Sequence, residues 1–253
     1  MGCSTEADER MTYADRITLA RLLLAPLAAA AYLVLPVQWA LCFWACGLIC
    51  GLAEATDYFD GMVARARGEV SDFGKLADPF CDVFYRLTIF LVFLLPAGGT
   101  GIAVATASGS WPGLITPPVY HLGTDADGAA ILGAGLVPWI PVWLMVMREI
   151  VAGALRAMAA TKGLVLAARN SGKFKAWLQG TTIITACAIP ALFGGPGLRW
   201  LFAEDPGFYL PIVGLLTWLC AAASVISMAE YIWVNRPVLR QLIARKPMDP
   251  VDN

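Results

Sequence analysis

The chain has 253 residues, of which 58% are hydrophobic and 15% charged, and its formal net charge at pH 7 is −1. Soluble domains are closer to half apolar and a quarter charged, so this composition excludes an ordinary soluble domain. The hydrophobic residues also fall in blocks of about 20, the length that a helix needs to cross roughly 30 Å of hydrocarbon. We therefore predict an all-α, polytopic membrane protein, surrounded by the lipid bilayer and without a nucleic-acid partner.

Six transmembrane helices are predicted along the sequence, at residues 17–35, 39–56, 74–95, 137–161, 174–193 and 211–234. This prediction divides the chain into three parts. They are a cytosolic N-terminal tail at 1–16, a six-helix membrane domain at 17–234 and a cytosolic C-terminal tail at 235–253. The polar N-terminal tail is expected to carry no cleavable signal.

The positions of lysine and arginine predict the orientation, because basic residues concentrate on the cytoplasmic side of membrane proteins. They cluster in both tails and in the turns after the second and fourth predicted helices, whereas residues 98–135 contain none. Both termini and both basic turns are therefore predicted to face the cytoplasm. The segment 98–135 is rich in Gly, Ser, Thr and Pro, and we predict an irregular or re-entrant loop on the opposite side.

Four aspartates flank the turn between the second and third predicted helices. Asp57 and Asp60 are three residues apart, and Asp78 and Asp82 are four apart, so each pair shares one helix face. The turn between them lets the two helix ends lie side by side, which predicts four converging carboxylates at the membrane boundary. Acids in this setting are costly unless cations neutralise them. Oxygen-only ligands suit Mg²⁺ or Mn²⁺, and a pair of such ions can clamp a phosphate and activate an attacking oxygen.

Small and basic residues complete this stretch of sequence. Gly61 and Ala64 leave room beside one helix end, and Gly74 permits a close approach at the start of the next helix. Arg65 offers a planar fork of donors that suits phosphate. A structural alternative is that the acids only cap and solvate helix ends. It would explain one or two aspartates, but it explains poorly four of them around a basic turn.

The pattern Asp-x₂-Asp-Gly-x₂-Ala-Arg-x₈-Gly-x₃-Asp-x₃-Asp at 57–82 resembles the signature of the CDP-alcohol phosphatidyltransferase family, and every fixed position is filled. The six-helix layout of that family would cover nearly the whole chain. The resemblance implies two divalent metal ions, Mg²⁺ or Mn²⁺, that bind the diphosphate of a CDP-linked lipid. Their implied ligands are Asp57, Asp60, Asp78 and Asp82, and Asp82 is also the implied catalytic base for the acceptor hydroxyl.

The same resemblance implies the rest of the donor-substrate site. CDP-diacylglycerol would enter from the bilayer, and the nucleotide would be lined by the small and basic residues of the pattern, namely Gly61, Ala64, Arg65 and Gly74. The protein would be an integral, multi-pass protein of the cell's inner or plasma membrane, with its active site on the cytoplasmic face. A homodimer is left open as its oligomeric state.

Basic residues of the fourth and fifth predicted helices are candidates for contacting the acceptor. Arg148 and Arg156 lie eight residues apart, which is about 80° around a helix, and Lys173 and Lys175 follow the next turn. Intramembrane arginines are functional candidates by default. We therefore predict that these four residues form a pocket for a phosphate that the acceptor carries. The alternative is that they reflect cytoplasmic orientation together with a structural Arg–Glu pair.

The sequence from Arg148 to Arg156 and the following Gly-Lys-x-Lys turn resemble family members whose acceptor is sn-glycerol 3-phosphate. The resemblance implies transfer of a phosphatidyl group from CDP-diacylglycerol to glycerol 3-phosphate, with release of CMP. Two departures, at Cys81 and Val83, keep inositol phosphate, serine and phosphatidylglycerol as alternative acceptors. Val83 stands where those members commonly have lysine, and Arg86, one turn further on, is a candidate for supplying the missing charge.

An alternative from a different functional class is a cation transporter that uses the same aspartates as an ion path. Transporters favour ion sites near the bilayer midplane, often in broken helices. The aspartates of this chain instead lie at one predicted face of the membrane, beside a basic turn. The enzyme is therefore the favoured interpretation.

Overall fold

The computed structural model describes residues 13–37, 40–67, 72–99, 102–103, 117–124, 128, 130–161, 170–193 and 209–243. Some of these, including 57–67 and 72–79, are described by their backbone alone. The described part is mostly helical, as predicted, and each predicted span overlaps one long helix. These helices are α1 (Tyr13–Val34), α2 (Leu41–Arg67), α3 (Asp72–Val92), α4 (Trp139–Thr161), α5 (Asn170–Phe193) and α6 (Tyr209–Ile243).

The second helix extends well beyond its predicted apolar span. The span was predicted to end at residue 56, whereas α2 continues to Arg67, and α3 begins at Asp72. Residues 57–67 contain no proline and one glycine, and their alanine, methionine and arginine residues are good helix formers. Asp57 and Asp60 therefore lie inside a continuous helix, and the connection between the two helices is short.

A small antiparallel sheet lies within residues 98–135, where an irregular or re-entrant loop was predicted, so the mostly helical fold also contains a few strand residues. Its strands are β1 (Ile102–Ala103), β2 (Val119–Thr124) and β3 (Ala130–Ala134), in the order β1-β3-β2. The strands are short, and the register of β2 shifts between His121 and Gly123. A shift of this kind disrupts the alternation of side chains that would have indicated a strand in the sequence.

The end of β3 is joined tightly to the end of α3. The backbone N–H of Leu136 donates to the carbonyl of Phe93 at 2.7 Å. A Cβ atom added to Gly135 would lie 2.4 Å from the carbonyl oxygen of Leu94. Glycine is required at this position because only a residue without Cβ permits so close an approach.

The first helix connects the two helices that carry the aspartates, since α1 packs against both α2 and α3. Near the sheet, the ring of Tyr32 lies 5.9 Å from that of Phe43 and 5.2 Å from that of Phe93. The Tyr32 hydroxyl also donates to the carbonyl of Leu95 at 3.1 Å. On the other side, α5 packs against α2 and α6, and α4 packs against α6.

The described helices have an apolar core and also expose much apolar surface. Many large apolar side chains are exposed, among them Leu48, Ile226 and Trp233, whereas Arg86 and Lys175 are buried. Soluble proteins rarely expose apolar surface on this scale. Within the described residues, two helical segments are long and apolar enough to cross a membrane, Gly172–Phe193 and Pro211–Arg240. The count of six spans and the orientation of the termini stay predictions.

Candidate active site

An ion pair sets the register of the hairpin formed by α2 and α3. Arg86 of α3 donates through Nη2 to Oε2 of Glu54 at 3.1 Å and through Nε to Oε1 at 3.4 Å. The hydroxyl of Tyr85 donates to the carbonyl of Cys50 at 3.2 Å. Because only residues 68–71 separate the two helices, these contacts define an antiparallel pair in which position 54 faces position 86.

This register places the four aspartate positions at the connected end of the hairpin. Asp57 follows Glu54 by three residues and Asp82 precedes Arg86 by four, so they lie about 4.5 and 6 Å from the ion pair along the helix axes. Asp60 and Asp78 follow at about 9 and 12 Å. By helix rise alone, the four positions therefore fall into two pairs, each at similar distances from the ion pair. The side chains of Asp57, Asp60 and Asp78 lie outside the described residues, so their convergence stays a prediction.

The side chain of Asp82 is described, and it is held by Arg86. The Nη1 atom of Arg86 lies 3.2 Å from Oδ2 of Asp82, and the Asp82 side chain is 28% exposed. Arg86 itself is only 5% exposed. The candidate base is therefore paired with a buried cation and stays partly exposed.

The predicted nucleotide-binding residues lie close to the aspartates along the chain. Gly61, Ala64 and Arg65 lie on α2, and Gly74 lies on α3, all within two helical turns of an aspartate position. Their side chains lie outside the described residues, so their contacts with a nucleotide stay a prediction.

A second charged cluster joins α4, α5 and α6. Arg148 donates through Nη1 to both carboxylate oxygens of Glu149, at 3.0 and 2.9 Å, and through Nη2 to Oγ of Ser227 at 3.1 Å. Lys175 donates to the same carboxylate. Both Glu149 and Lys175 are buried. The structure thus brings together two of the four predicted acceptor residues, Arg148 and Lys175. It also contains the Arg–Glu pair that the structural alternative expects.

The other two predicted acceptor residues lie outside this buried cluster. Arg156 is exposed, and its Nε donates to the carbonyl of Ala152 in its own helix at 3.3 Å. Lys173 is exposed at the start of α5. Their role in binding the acceptor stays a prediction.

Two polar atoms beside the cluster are buried without a hydrogen-bond partner among the described residues. They are Nε of Arg148 and the hydroxyl of Tyr231, which follows Ser227 by one turn of α6. A buried polar group without a partner costs about 1–3 kcal/mol. A ligand with several acceptor oxygens, such as a phosphate, would recover this free energy. Sequence reasoning did not assign Tyr231, because its proximity to Arg148 depends on how α4 and α6 pack.

The donor chemistry of the aspartate region fits hard divalent cations. Four carboxylates at similar levels would supply only oxygen ligands, the kind that Mg²⁺ and Mn²⁺ prefer. Among the described side chains, no group of three or more His, Cys, Asp or Glu residues is arranged to hold a metal ion. Three of the four aspartate side chains lie outside that set, so the metal site stays a prediction.

Comparisons with known proteins point to the same family as the aspartate pattern at 57–82. Residues 11–112 match the model of the CDP-alcohol phosphatidyltransferase family. Similar curated proteins are named CDP-diacylglycerol–glycerol-3-phosphate 3-phosphatidyltransferase. The one from Cereibacter sphaeroides is 27% identical over 187 residues, which cover 73% of this chain and 64% of that protein. The one from Bacillus subtilis is 25% identical, with 89% of this chain and 96% of that protein covered. The one from Pseudomonas fluorescens is 26% identical, with 91% and 93% covered.

The match to the Cereibacter protein spans less than two thirds of that protein's length.

Among solved structures, the apo crystal structure of a phosphatidylinositol phosphate synthase from Mycobacterium tuberculosis aligns with a TM-score of 0.49 and 17% sequence identity. The alignment covers 91% of this chain and 93% of that one.

Proposed function

We propose that this chain is a CDP-alcohol phosphatidyltransferase, which transfers a phosphatidyl group from CDP-diacylglycerol to sn-glycerol 3-phosphate and releases CMP. Relatives aligned along most of the chain carry the name of this reaction. The structural observation that favours a phosphorylated acceptor is that Arg148 and the buried Lys175 both reach the carboxylate of Glu149, with unpartnered polar atoms beside them.

Two divalent cations, Mg²⁺ or Mn²⁺, are the proposed cofactors, and Asp57, Asp60, Asp78 and Asp82 would hold them. When bound, such ions neutralise the diphosphate of the donor and stabilise the charge that develops on the departing CMP. Gly61, Ala64, Arg65 and Gly74 would line the nucleotide. In this proposal the small residues leave space for the cytidine, and the Arg65 guanidinium binds phosphate oxygens through its fork of donors.

The proposed chemistry exchanges one P–O bond for another. The hydroxyl oxygen of the acceptor attacks the phosphorus that carries diacylglycerol. The bond from that phosphorus to the bridging oxygen breaks, and CMP leaves with the electron pair. Asp82 accepts the proton of the attacking hydroxyl. Its partial exposure, 28% for the side chain, leaves it accessible to a substrate.

The acceptor is proposed to bind through its phosphate to the cluster of α4, α5 and α6. Arg148 and Lys175 supply positive charge there, and the Tyr231 hydroxyl and Arg148 Nε supply further donors. Charge-assisted hydrogen bonds to an anion are roughly twice as strong as neutral ones. An acceptor without a phosphate would leave Arg148 Nε and the Tyr231 hydroxyl unsatisfied. This is the physical reason for expecting the enzyme to select phosphorylated acceptors.

The site is proposed to lie at the cytoplasmic face of a multi-pass membrane protein. The exposed apolar side chains of the helices would contact lipid, and the acyl chains of CDP-diacylglycerol would stay in the bilayer. The basic turns of the sequence would lie in the cytoplasm on the same side as the aspartates.

The test is a CMP-release assay with the purified full-length chain in detergent or nanodiscs. CDP-diacylglycerol and Mg²⁺ or Mn²⁺ are supplied with glycerol 3-phosphate, inositol phosphate, serine or phosphatidylglycerol, and the lipid product is identified by mass spectrometry. We expect turnover with glycerol 3-phosphate. Turnover with inositol phosphate, serine or phosphatidylglycerol but not with glycerol 3-phosphate would overturn the proposed acceptor. No CMP release with any acceptor would overturn the proposed transferase activity.

A further inference from the structure

A buried guanidinium beside Asp82 contacts carboxylates from two helices. Arg86 is 5% exposed. Its Nη2 lies 3.1 Å from Oε2 of Glu54 on α2, and its Nη1 lies 3.2 Å from Oδ2 of Asp82, one turn earlier on α3. The residue directly after Asp82 is the uncharged Val83. The positive charge beside Asp82 comes instead from Arg86, one turn further along the helix.

The carboxylate of Glu54 is in turn confined by a third helix. A Cβ atom added to Gly180 of α5 would lie 2.8 Å from Oε2 and 3.0 Å from Oε1 of Glu54. The backbone of α5 therefore lies directly against this carboxylate. Glu54, whose side chain is 24% exposed, therefore contacts both Arg86 and the backbone of α5 at Gly180.

This arrangement fixes the direction in which Arg86 presents its remaining donors. A guanidinium is planar, and its donors have a rigid geometry. Once Nε and Nη2 are bound to Glu54, the position of Nη1 is determined by α2 and α5. The orientation of the Asp82 carboxylate thus depends on residues of three helices, and not only on the rotamer preference of its own helix.

We propose that Arg86 is a positioning residue for the transfer reaction. Anchored to Glu54, which is confined by Gly180, it holds the carboxylate of Asp82 in the orientation that accepts the proton of the acceptor hydroxyl. This inference rests on the proposed function, in which Asp82 is the base. It predicts that, at saturating Mg²⁺ or Mn²⁺ where the proposed metal sites stay filled, loss of Arg86 lowers kcat and leaves the KM for CDP-diacylglycerol nearly unchanged.

The experiment separates positioning from stability by comparing single and double variants. Arg86→Gln, Arg86→Lys, Glu54→Gln and the double variant Glu54→Gln/Arg86→Gln are purified as full-length chains. For each, kcat, the KM for CDP-diacylglycerol and the midpoint of thermal unfolding are measured. Arg86→Gln leaves the Glu54 carboxylate without its buried partner, so its unfolding midpoint should fall. The double variant removes that unpaired charge, so its midpoint should recover most of the loss.

If Arg86 positions Asp82, the double variant recovers stability without recovering activity. Misplacement of a reacting group by about 1 Å can cost roughly a hundredfold in rate, so we expect its kcat to stay about ten- to a hundredfold below wild type. Arg86→Lys keeps the charge but not the planar fork, and it should regain part of the kcat. The KM for CDP-diacylglycerol should stay within about twofold in all variants.

Two results would overturn the inference while leaving the proposed function in place. One is a kcat that recovers together with the unfolding midpoint in the double variant, which would mean that the bridge is purely structural. The other is a wild-type kcat in Arg86→Gln. A wild-type chain that releases no CMP from CDP-diacylglycerol would instead overturn the proposed function, and with it the role of Arg86.

Discussion

Replacement of Gly180 by alanine tests the contact between α5 and the Glu54 carboxylate. Two effects oppose each other in this variant. Alanine stabilises a helix relative to glycine by roughly 0.5–1 kcal/mol, whereas an overpacked interior costs typically about 1–3 kcal/mol. The added Cβ would lie 2.8 Å from Oε2, 2.9 Å from Cδ and 3.0 Å from Oε1 of Glu54, so the carboxylate must shift. Because the same carboxylate is bound by Arg86, its shift would weaken that ion pair, so we expect overpacking to exceed the helix effect, with a net destabilisation of about 1 kcal/mol.

The matched control is Gly172→Ala in the same helix, where an added Cβ meets no atom within 4 Å. This variant should be as stable as wild type or more stable by up to about 1 kcal/mol. Thermal unfolding in detergent compares the two, since about 1 kcal/mol corresponds to roughly 2–4 °C for a chain of this size. Steady-state kcat is measured in parallel and should fall in Gly180→Ala but not in Gly172→Ala. If both variants unfold at the same temperature with wild-type kcat, the contact does not constrain Glu54 and the reasoning is wrong.

Three further predictions concern the metals and the acceptor. Asp57→Asn, Asp60→Asn and Asp78→Asn should each reduce CMP release to near background while the protein elutes as wild type in gel filtration, and substantial activity in any two would refute a two-metal site. EDTA should abolish turnover, and Mg²⁺ or Mn²⁺ but not monovalent salt should restore it, because oxygen-only sites require hard divalent ions; turnover that survives exhaustive chelation would contradict this. Arg148→Ala removes a charge-assisted contact worth about 1.5–3 kcal/mol, so kcat/KM for glycerol 3-phosphate should fall roughly ten- to a hundredfold. Substrate titrations check this prediction, and an equal loss for CDP-diacylglycerol would assign Arg148 a structural role.

The helices could be predicted from hydropathy, but their ends could not. Each apolar block overlaps one helix, because a continuous apolar run of this length is favourable only as a helix in lipid. Hydropathy measures how much of a helix is apolar and not where its hydrogen bonding stops, so the continuation of α2 to Arg67 was missed. The strands were missed because they are short and β2 contains a register shift.

The charged residues around Asp82 show that contacts between helices are harder to predict from the sequence than groupings along one helix. The spacing of the aspartates predicts their grouping, because it depends on helix periodicity alone. The partnership of Glu54 and Arg86 depends on the register between α2 and α3, which local periodicity does not contain. A lone acid in the apolar run 41–56 was the available signal, since such a residue requires a partner. In the same way, the contact of Arg148 with Ser227 follows from the packing of α4 on α6.

The contacts of the first three helices suggest that the hairpin does not depend on its covalent connection. The helix α1 packs against both α2 and α3, and the Glu54–Arg86 pair joins the latter two directly. Helices in lipid associate through such packing and polar contacts after they have inserted. Two co-expressed fragments, residues 1–69 and 70–253, are therefore expected to reassemble by complementation. Half of the aspartate motif would then come from each polypeptide.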